Sequence, residues 1–396
     1  MIKIRTVSYN LPDEMLSDMF DRIRACAEDW NHIKYDVRTQ RMTLPVQTGK
    51  FDVQKYGFIA QFAHESGIRW FNIPVDPRQI DIHAEDIACL LNTYESAFCN
   101  IICTKDNQVR KDILDLVANA MQMTSDLTED GRVNFRLGAS MNISPNGPFF
   151  PFTYSKGDEI SFSIGLELAE MINQIAARHT ARDLNILRDE IVQELEKQIN
   201  EIEQIAIQLS EKHQIRYDGI DFSLAPLPQE GSSVITILNC LGVTEINGIG
   251  MMMATAYLTD LLKSFGTHHK QVGFSGVMYS LLEDSEYAAI NDRDGFSLRQ
   301  MVSLSTMCGC GVDMVPIHRD TDIQSICTIL MEIGCISSRL NKPLGVRLLP
   351  IRPNADERTN INEDKDFIVN TRLVSKKVNP MIGFGDQFCF KTYKRI

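Results

Sequence analysis

The spacing of apolar residues along the chain switches repeatedly between the period of a strand and the period of a helix. Residues 2–9 alternate between two faces and predict a strand, whereas Met15, Met19 and Ile23 recur every four residues and predict a helix over 12–31. Further strands are predicted over 35–44, 69–74, 96–104 and 133–142, and further helices over 53–66, 86–94 and 109–123. Strands that alternate with helices in this way predict a largely parallel sheet.

The longest helical pattern runs from about 166 to 214 and predicts one long surface helix, broken once near His179 and Thr180. Its apolar stripe would pack on the body of the protein, and the alternative is a coiled-coil partner. The second half of the chain then predicts strands over 217–224, 272–282, 309–317 and 344–351, and helices over 231–241, 251–264, 296–307 and 322–340. The polar stretch 352–366 predicts a solvated loop, either a lid or a plain insertion, and 367–396 is strand-like again.

Composition narrows the class of protein. The chain has 396 residues, 44% of them hydrophobic, which is enough core for two domains or for one large α/β barrel. The formal net charge of −12 argues against nucleic acid and against an anionic membrane as partners. No stretch approaches the ~20 apolar residues of a membrane span, and residues 1–11 lack the apolar centre of a signal peptide. Ten cysteines without a C-x-x-C pair indicate free thiols, and we therefore expect a cytoplasmic protein.

Ligands of parallel α/β folds gather where strands end, so the turns after the strands hold the candidate binding residues. In the segment 138–154, Ser140 and Asn142 provide small polar groups, and Phe150 and Tyr154 provide aromatic rings. These side chains are candidates for the wall of a ligand site. The alternative is a rigid loop whose rings belong to the core.

Two turns in the second half of the chain offer further polar groups. Asp221 and Ser223 share one face at the end of a predicted strand. Ser232 or Ser233 is a candidate helix cap, and the exposed amides there would also receive an anion. Asn247 and Gly248 precede an apolar helix in a turn that resembles a phosphate-binding loop only in its two glycines.

Reactive and charged side chains stand out in apolar surroundings. Cys308 and Cys310 flank a glycine, and a thiolate there would be a strong nucleophile; buried inert thiols are the alternative, and we expect no metal because C-x-C alone is a weak ligand pattern. Arg347 interrupts an apolar strand, so it must meet a carboxylate, for which Asp313 is a candidate, or an anionic ligand.

Arg38 and Arg41 form a second pair of cations in a predicted strand. They lie three residues apart and therefore point to opposite faces, so at most one of them faces the interior.

The order of these segments resembles an uncharacterised family, the domain of unknown function 711 family. The match is strongest in the blocks DFSLAPLP (221–228), GFSGVMYSLLEDSE (273–286), CGCGVDMVPI (308–317) and VRLLP (346–350). The resemblance implies a pyruvate formate-lyase-like α/β barrel that forms a single large domain over 1–396, made of an N-terminal half (1–165), the long helix (166–214) and a C-terminal half (215–396). Carried over by position, the family pattern points to Asp221, Ser223, Glu283, Asp284, Cys308, Asp313 and Arg347.

The fold relatives implied by this resemblance are glycyl-radical enzymes, which hold a cysteine in the barrel and a radical glycine near the C-terminus. Here the segment Met381-Ile-Gly-Phe-Gly385 lacks the arginine that normally precedes that glycine. Fold kinship does not transfer the reaction.

The sequence therefore predicts a non-radical enzyme that acts on a small anionic or polar metabolite inside the barrel. Cys308 would be nucleophile or proton donor, Asp221 or Asp313 would do acid–base work, and Arg347 would bind the anionic group. The remaining substrate-binding candidates are Ser223, Ser140, Asn142, Phe150, Tyr154, Asn247, Gly248 and Glu283. The cofactor stays unassigned and a homo-oligomer stays open. The alternatives are a catalytically inactive small-molecule-binding or regulatory module and, less favoured, a glycyl-radical enzyme.

Overall fold

The computed structural model describes residues 1–179, 183–246, 248–361, 366–374, 378, 385 and 387–392. The strands are β1 (Lys3–Asn10), β2 (Gln40–Thr43), β3 (Gln47–Lys50), β4 (Trp70–Asp81), β5 (Ala97–Ile102), β6 (Thr104–Lys105), β7 (Gln108–Arg110), β8 (Leu137–Met141), β9 (Ser161–Glu167), β10 (Arg216–Asp221), β11 (Gly311–His318), β12 (Leu344–Ile351) and β13 (Cys389–Lys391). The α-helices are α1 (Ser17–Trp30), α2 (Gly57–Glu65), α3 (Ala84–Thr93), α4 (Lys111–Ser125), α5 (Ala169–Arg178), α6 (Leu184–His213), α7 (Val234–Cys240), α8 (Met251–Ser264), α9 (Ser285–Asp294), α10 (Leu298–Leu304) and α11 (Ile323–Leu340).

A large, mostly parallel sheet organises the molecule, which confirms the predicted α/β class. Its strand order is β10-β9-β1-β2-β4-β5-β8-β12-β11, with β3 paired to β4 off this path. The strands β1, β2, β4, β5 and β8 run parallel to one another, and so do the pairs β9 with β10 and β11 with β12. Antiparallel pairing occurs where β1 meets β9 and where β8 meets β12. The sheet therefore contains parallel groups of opposite direction, joined at these two seams.

The segment 271–280 lies between the two edge strands of this sheet. Gln271 forms an isolated parallel bridge with Ile220 of β10, and Ser280 forms one with Asp313 of β11. The sequence predicts a regular strand over 272–282, but the backbone here turns at Gly273 (φ +67°) and Ser275 (φ +44°). These left-handed residues interrupt the ladder, so the segment forms separate bridges instead of a continuous strand.

The long helical pattern forms two helices, and the break lies where it was predicted. Helix α5 ends at Arg178 and α6 begins at Leu184, where the Asp183 carboxylate caps it by accepting a hydrogen bond from the Asn185 amide (2.8 Å). The buried stripe of α6 recurs every three to four residues and comprises Leu187, Ile191, Leu195, Ile199, Ile202, Ala206 and Leu209. This stripe packs into the same apolar core as the sheet.

Several predicted elements differ from the structure. Residues 161–167, which the long helical pattern partly covers, form strand β9, so helix begins only at Ala169. Helix α9 was not predicted. In the predicted polar loop, Thr359 and Ile361 are buried, and 362–365 lie outside the described residues. The strand-like tail contributes β13, while most of 375–396 lies outside the described part of the chain.

One helix among the described residues, α11, is long and apolar enough to cross a membrane by length and composition. Of its 18 residues 61% are buried within the protein. It packs on α4, β12 and β8, as the core helix of a soluble globular protein does.

An aromatic loop, residues 149–152, packs against the sheet where glycines on three strands leave room for it. A Cβ at Gly138 of β8 would lie 2.4 Å from Pro151, and a Cβ at Gly345 of β12 would lie 2.6 Å from the Phe152 ring. A Cβ at Gly165 of β9 would approach Phe149 to 3.3 Å. The loop therefore fits only where side chains are absent.

Candidate functional site

A cavity lies between this aromatic loop and the strands β1, β2, β11 and β12. Its volume is about 30 Å³, which corresponds to about two or three water-sized groups. Apolar side chains make up most of its lining, and seven of them are aromatic: Trp70, Phe98, Phe135, Phe149, Phe150, Phe152 and Phe367. Into this apolar wall project the guanidinium groups of Arg5, Arg41 and Arg347 and the carboxylates of Glu283 and Asp313.

Arg347 is held on several sides. Its Nε and Nη2 donate to the two carboxylate oxygens of Asp313 at 2.5 and 2.8 Å, and Nη2 also donates to Glu283 at 2.8 Å. Its Nη1 donates to the carbonyl oxygen of Phe135 at 3.2 Å. The predicted pairing of Arg347 with Asp313 is thus present. Because these contacts occupy four of its five N–H groups, Arg347 has little capacity left for a ligand.

Glu283 and Arg5 form the second charged contact of the cavity. The Glu283 carboxylate accepts from the Ser280 hydroxyl at 2.5 Å and lies 3.6 Å from Nη2 of Arg5. Arg5 also donates through Nη1 to the carbonyl oxygen of Pro226 at 2.8 Å. Burial lowers the pKa of Arg5, and the charge of Glu283 opposes that shift.

Arg41 is the buried cation of the cavity that meets no carboxylate within 4 Å among the described residues. It is 4% exposed, and its Nε donates to the Thr39 hydroxyl at 3.1 Å. Its guanidinium carbon lies 4.9 Å from the Trp70 ring centre and 5.3 Å from that of Phe150, in cation–π geometry. Burial lowers the pKa of Arg41 well below its usual value, and the nearby charge of Arg5 lowers it further. Arg41 faces the cavity, whereas Arg38 pairs outside it with Glu167 at 2.5 Å, so one of the two faces the interior, within the predicted limit.

The ionised groups of the cavity do not balance. Three guanidiniums and two carboxylates line it, and 3 − 2 leaves one positive charge. Burial raises the pKa of Asp313, while the charge of Arg347 opposes that shift and favours the carboxylate. An uncompensated cation inside an apolar wall is costly, and a bound anion would compensate it.

The two cysteines of the Cys-Gly-Cys turn occupy different positions. Cys310 lines the cavity, but Cys308 does not. The Cys308 sulfur is fully buried and accepts from the Gly311 amide at 3.3 Å. The Cys310 thiol, more than any other group, lowers the pKa of Cys308 to about 6; Lys342 contributes in the same direction, and burial opposes both. The Lys342 ammonium donates to the carbonyl oxygens of Ser305 (2.8 Å) and Cys308.

The thiol at the cavity is therefore Cys310, two residues after the predicted one. Its pKa is raised well above the usual value, chiefly by its hydrogen bond with Cys308, so it remains a protonated thiol at neutral pH. Both cysteines lie in the turn between helix α10 and strand β11, and hydrophobic spacing does not report which of two thiols in a turn faces a cavity.

Asp221 and Ser223 lie outside the cavity and hold a turn together. The Asp221 carboxylate accepts from the Phe274 amide (2.7 Å), the Ser275 amide (3.0 Å), the Ser223 amide (2.9 Å) and the Ser223 hydroxyl (2.6 Å). Burial raises the pKa of Asp221, and these hydrogen bonds act against the shift. A Cβ on Gly273 would lie 2.0 Å from this carboxylate. This geometry ties β10 to the segment 271–280 and engages both oxygens of the carboxylate in hydrogen bonds within the protein.

Only some of the other predicted binding residues line the cavity. Phe150 and Glu283 line the cavity, whereas Ser140, Asn142, Tyr154 and Gly248 do not. Asn142, at φ +51°, donates through its side chain to Asn107 (3.2 Å) and to Ser337 (3.1 Å), which fixes the end of β8. Asn247 lies outside the described residues, as do residues 381–384 of the glycine-containing tail segment.

A wider pocket of about 390 Å³ shares the Trp70 and Phe135 rings with the cavity. Its lining also includes Arg69, Arg132 and Arg136. The Arg69 guanidinium is exposed and lies 4.5 Å from the Trp70 ring centre. The two aromatic rings thus line both the cavity and this outer basic pocket.

The sequence offers Arg41 and Cys310 only as one member each of a pair, Arg38 with Arg41 and Cys308 with Cys310, and it does not point to Arg5, Ser280 or Trp70 as site residues. The signal available for Arg5 and Arg41 is the one that identified Arg347, a cation in a strand whose neighbours are apolar or small. Trp70 carries no such signal, since an aromatic ring in a strand usually belongs to the core. Ser280 carries none because it has no charge.

This chain is similar in sequence to proteins of an uncharacterised family. A UPF0210 protein of Methanopyrus kandleri is 26% identical over 246 residues, which cover 61% of this chain and 54% of that protein. A UPF0210 protein of Syntrophobacter fumaroxidans is 27% identical over 253 residues (61% and 55%), and one of Pyrobaculum arsenaticum is 25% identical over 221 residues (54% and 49%). The chain spans about half the length of the curated relatives it matches.

The pattern that describes the family called Uncharacterised ACR (DUF711) matches residues 54–359, a span that includes Trp70, the aromatic loop, Cys310, Asp313 and Arg347. This chain belongs to the uncharacterised DUF711 family.

Proposed function

We propose that the sheet closes into a single barrel of the pyruvate formate-lyase-like kind, with the cavity in its interior. The bridges of segment 271–280 to both edge strands support closure. The parallel bridges also give β9, β10, this segment, β11 and β12 one common direction, opposite to that of β1, β2, β4, β5 and β8. The aromatic loop then fills the interior beside the charged groups.

The protein's proposed function is that of a cytoplasmic, non-radical enzyme that acts on a small anionic metabolite bound in this cavity. The observation that carries the proposal is the Arg41 guanidinium, which is 4% exposed, stacks on Trp70 and Phe150 and meets no carboxylate among the described residues. A fold retains such a costly group when an anion completes it. Arg41 binds the anion, and Arg5 lies close enough to add to its field.

Cys310 is the reactive group in this proposal. It lines the same cavity as Arg41, and its raised pKa keeps it protonated, so its thiol donates a hydrogen bond to the bound substrate and gives up its proton only to a more basic centre formed there during the reaction. Cys308 and Lys342 act through Cys310 and are positioning residues. Glu283 and Asp313 hold Arg347 and set the charge of the site.

A binding module without chemistry is the second candidate, and one observation favours it. Asp221 and Cys308, two of the three catalytic residues expected from the sequence, do not line the cavity. A ligand that stabilises the protein and is recovered unchanged would support this alternative.

The anion site is tested by thermal denaturation with sodium formate at constant ionic strength. We expect formate to raise the melting temperature of the wild type and of Arg69→Met, but not of Arg41→Met. Arg69→Met is the matched control because Arg69 contacts the same Trp70 ring from an exposed position outside the cavity. Equal stabilisation of all three proteins would contradict the proposal.

The thiol is tested by comparing alkylation by iodoacetate, a carboxylate, with alkylation by the neutral iodoacetamide. At Cys310 the sulfur displaces iodide and its proton passes to the buffer; we expect the iodoacetate-to-iodoacetamide rate ratio to exceed the ratio at the exposed Cys89 in the same molecule. Arg41→Met should remove this excess. Equal ratios at Cys310 and Cys89, read by mass spectrometry of the two peptides, would exclude an anion site beside the thiol.

A further inference from the structure

If the proposed function is right, the net charge of the cavity also determines the charge of the anion that binds there. Five side chains of its lining count as charged when each takes its ordinary form at neutral pH, namely Arg5, Arg41, Arg347, Glu283 and Asp313. Their sum is one positive charge. We infer that the cavity selects a singly charged anion, a small monocarboxylate, and accepts a doubly charged anion only together with one proton.

The surrounding charges do not alter this sum. Outside the cavity Arg38 is compensated by Glu167 at 2.5 Å, and Arg69 and Asp366 are exposed to solvent, which screens them. Behind Cys310, the half-buried Lys342 faces Cys308, whose thiolate form it favours. The compensated and solvated groups thus leave the cavity with its single excess charge.

Each charge inside the cavity also has a fixed role. Arg347 joins Asp313 and Glu283 through contacts of 2.5 to 2.8 Å, so this triad carries one negative charge as a unit. Arg5 lies 3.6 Å from Glu283 and neutralises the triad. Arg41 then remains as the group whose charge a ligand compensates.

A dianion would reverse the balance from one positive to one negative charge within the apolar wall. Excess buried charge is resolved by shifting protonation. The proton would settle on the ligand or on the Glu283–Asp313 pair, where two carboxylates share one arginine. A monoanion needs no proton because it brings the sum to zero.

The size of the cavity points to the same class. Its volume of about 30 Å³ holds about two or three water-sized groups, which suits formate or the carboxylate end of a slightly larger acid. The cavity offers few hydrogen-bond partners to a second carboxylate. Ser280 and the triad already bond to one another, Arg5 already donates to the Pro226 carbonyl oxygen, and the Cys310 thiol is a weak donor.

Isothermal titration calorimetry with formate and with oxalate tests this inference. Each acid is titrated at pH 7.5 in Tris and in HEPES, whose different ionisation enthalpies report the protons exchanged. We expect no proton exchange for formate and uptake of about one proton for oxalate, whose affinity should then fall about tenfold per pH unit between pH 6.5 and 8.5. Oxalate binding without proton uptake would overturn the inference and leave the proposed anion site intact.

The variant Glu283→Gln sharpens the test because it raises the sum to two positive charges with little change of shape. Oxalate should then bind without proton uptake and with an affinity independent of pH. The control Glu167→Gln also neutralises a carboxylate paired with an arginine, but outside the cavity, and should keep the wild-type uptake. Unchanged proton uptake in Glu283→Gln would contradict the inference, and failure of the wild type to bind either acid would overturn both the inference and the proposed function.

Discussion

The turn at Asp221 and the cavity at Arg41 both contain a buried charge, but they differ in how many partners the protein provides for it. Asp221 accepts four hydrogen bonds from backbone amides and a hydroxyl, so its charge is satisfied within the protein. Among the described residues, Arg41 has one hydrogen bond and two aromatic neighbours, so we propose that a ligand compensates its charge. Burial alone therefore does not identify a functional residue; an incomplete set of partners does.

The largest effect is expected at Arg347, which resembles Asp221 in being fully held. Replacing it in Arg347→Met leaves Glu283 and Asp313 buried without their shared partner, and we expect the free energy of unfolding to fall by about 3–5 kcal/mol. Urea denaturation measures this. If the loss of unfolding free energy is below about 1 kcal/mol and formate binding is abolished, Arg347 binds the ligand, as Arg41 does, and is not a structural residue.

Asp221→Asn should be the next most damaging change. The asparagine side chain has one acceptor oxygen in place of two, so it cannot accept from the backbone amides of both Phe274 and Ser275. We expect the free energy of unfolding, measured by urea denaturation, to fall by about 3 kcal/mol. The control Asp52→Asn, at an exposed helix cap that accepts from the Gln54 amide (3.0 Å), should cost under about 1 kcal/mol. Asp221→Asn with normal stability and no formate binding would show that the turn takes part in the site.

Arg41→Met, in contrast, should stabilise the ligand-free protein. Removing a buried cation without a carboxylate partner relieves its desolvation, so we expect the ligand-free protein to gain about 1–2 kcal/mol of unfolding free energy while formate binding is lost. Urea denaturation without ligand tests the gain. A loss of stability as large as that of Arg347→Met would mean that Arg41 is structural.

His269, another buried cationic group, has partners for both ring nitrogens and makes a smaller, pH-dependent contribution to stability. Its ring nitrogens lie 2.7 Å from Glu203 and 3.1 Å from Glu196 of α6, with Tyr217 and Lys270 beside Glu203. Hydrogen bonding and charge from these glutamates raise the pKa of His269 above that of a free histidine despite burial. The stabilisation is therefore complete below the unfolded pKa and is lost as the pH rises through the folded pKa.

We expect the difference in unfolding free energy between the wild type and His269→Gln to be about 1 kcal/mol near pH 6 and to shrink as the pH rises toward 9. Urea denaturation across this range measures it. A difference that is constant with pH would show that His269 is held neutral.

Much of the fold could be predicted from periodicity, because helices such as α6 and α11 carry long stripes of apolar residues. Strand β9 was missed because its sequence, Ser161–Glu167, runs directly into the helical pattern. Segment 271–280 was predicted as a regular strand because left-handed residues such as Ser275 leave no trace in hydrophobic spacing.

The candidate site was predicted only in part. Arg347, Asp313, Glu283 and Phe150 were selected and do line the cavity, because a charge in an apolar strand is visible in sequence. Whether such a charge already has a partner depends on strands distant along the chain, as with Arg5 and Glu283, 278 residues apart. A buried arginine with a carboxylate partner is structural, whereas one without a partner is a candidate for binding, and hydrophobic periodicity does not distinguish the two.

Anomalous diffraction from crystals soaked in sodium bromide tests the central claim most directly, since it locates a monoanion without reference to activity. The account predicts a bromide peak inside the cavity, about 3.3 Å from the guanidinium nitrogens of Arg41, and no such peak in Arg41→Met. Bromide found only at exposed cations such as Arg69, with the cavity unchanged, would contradict it.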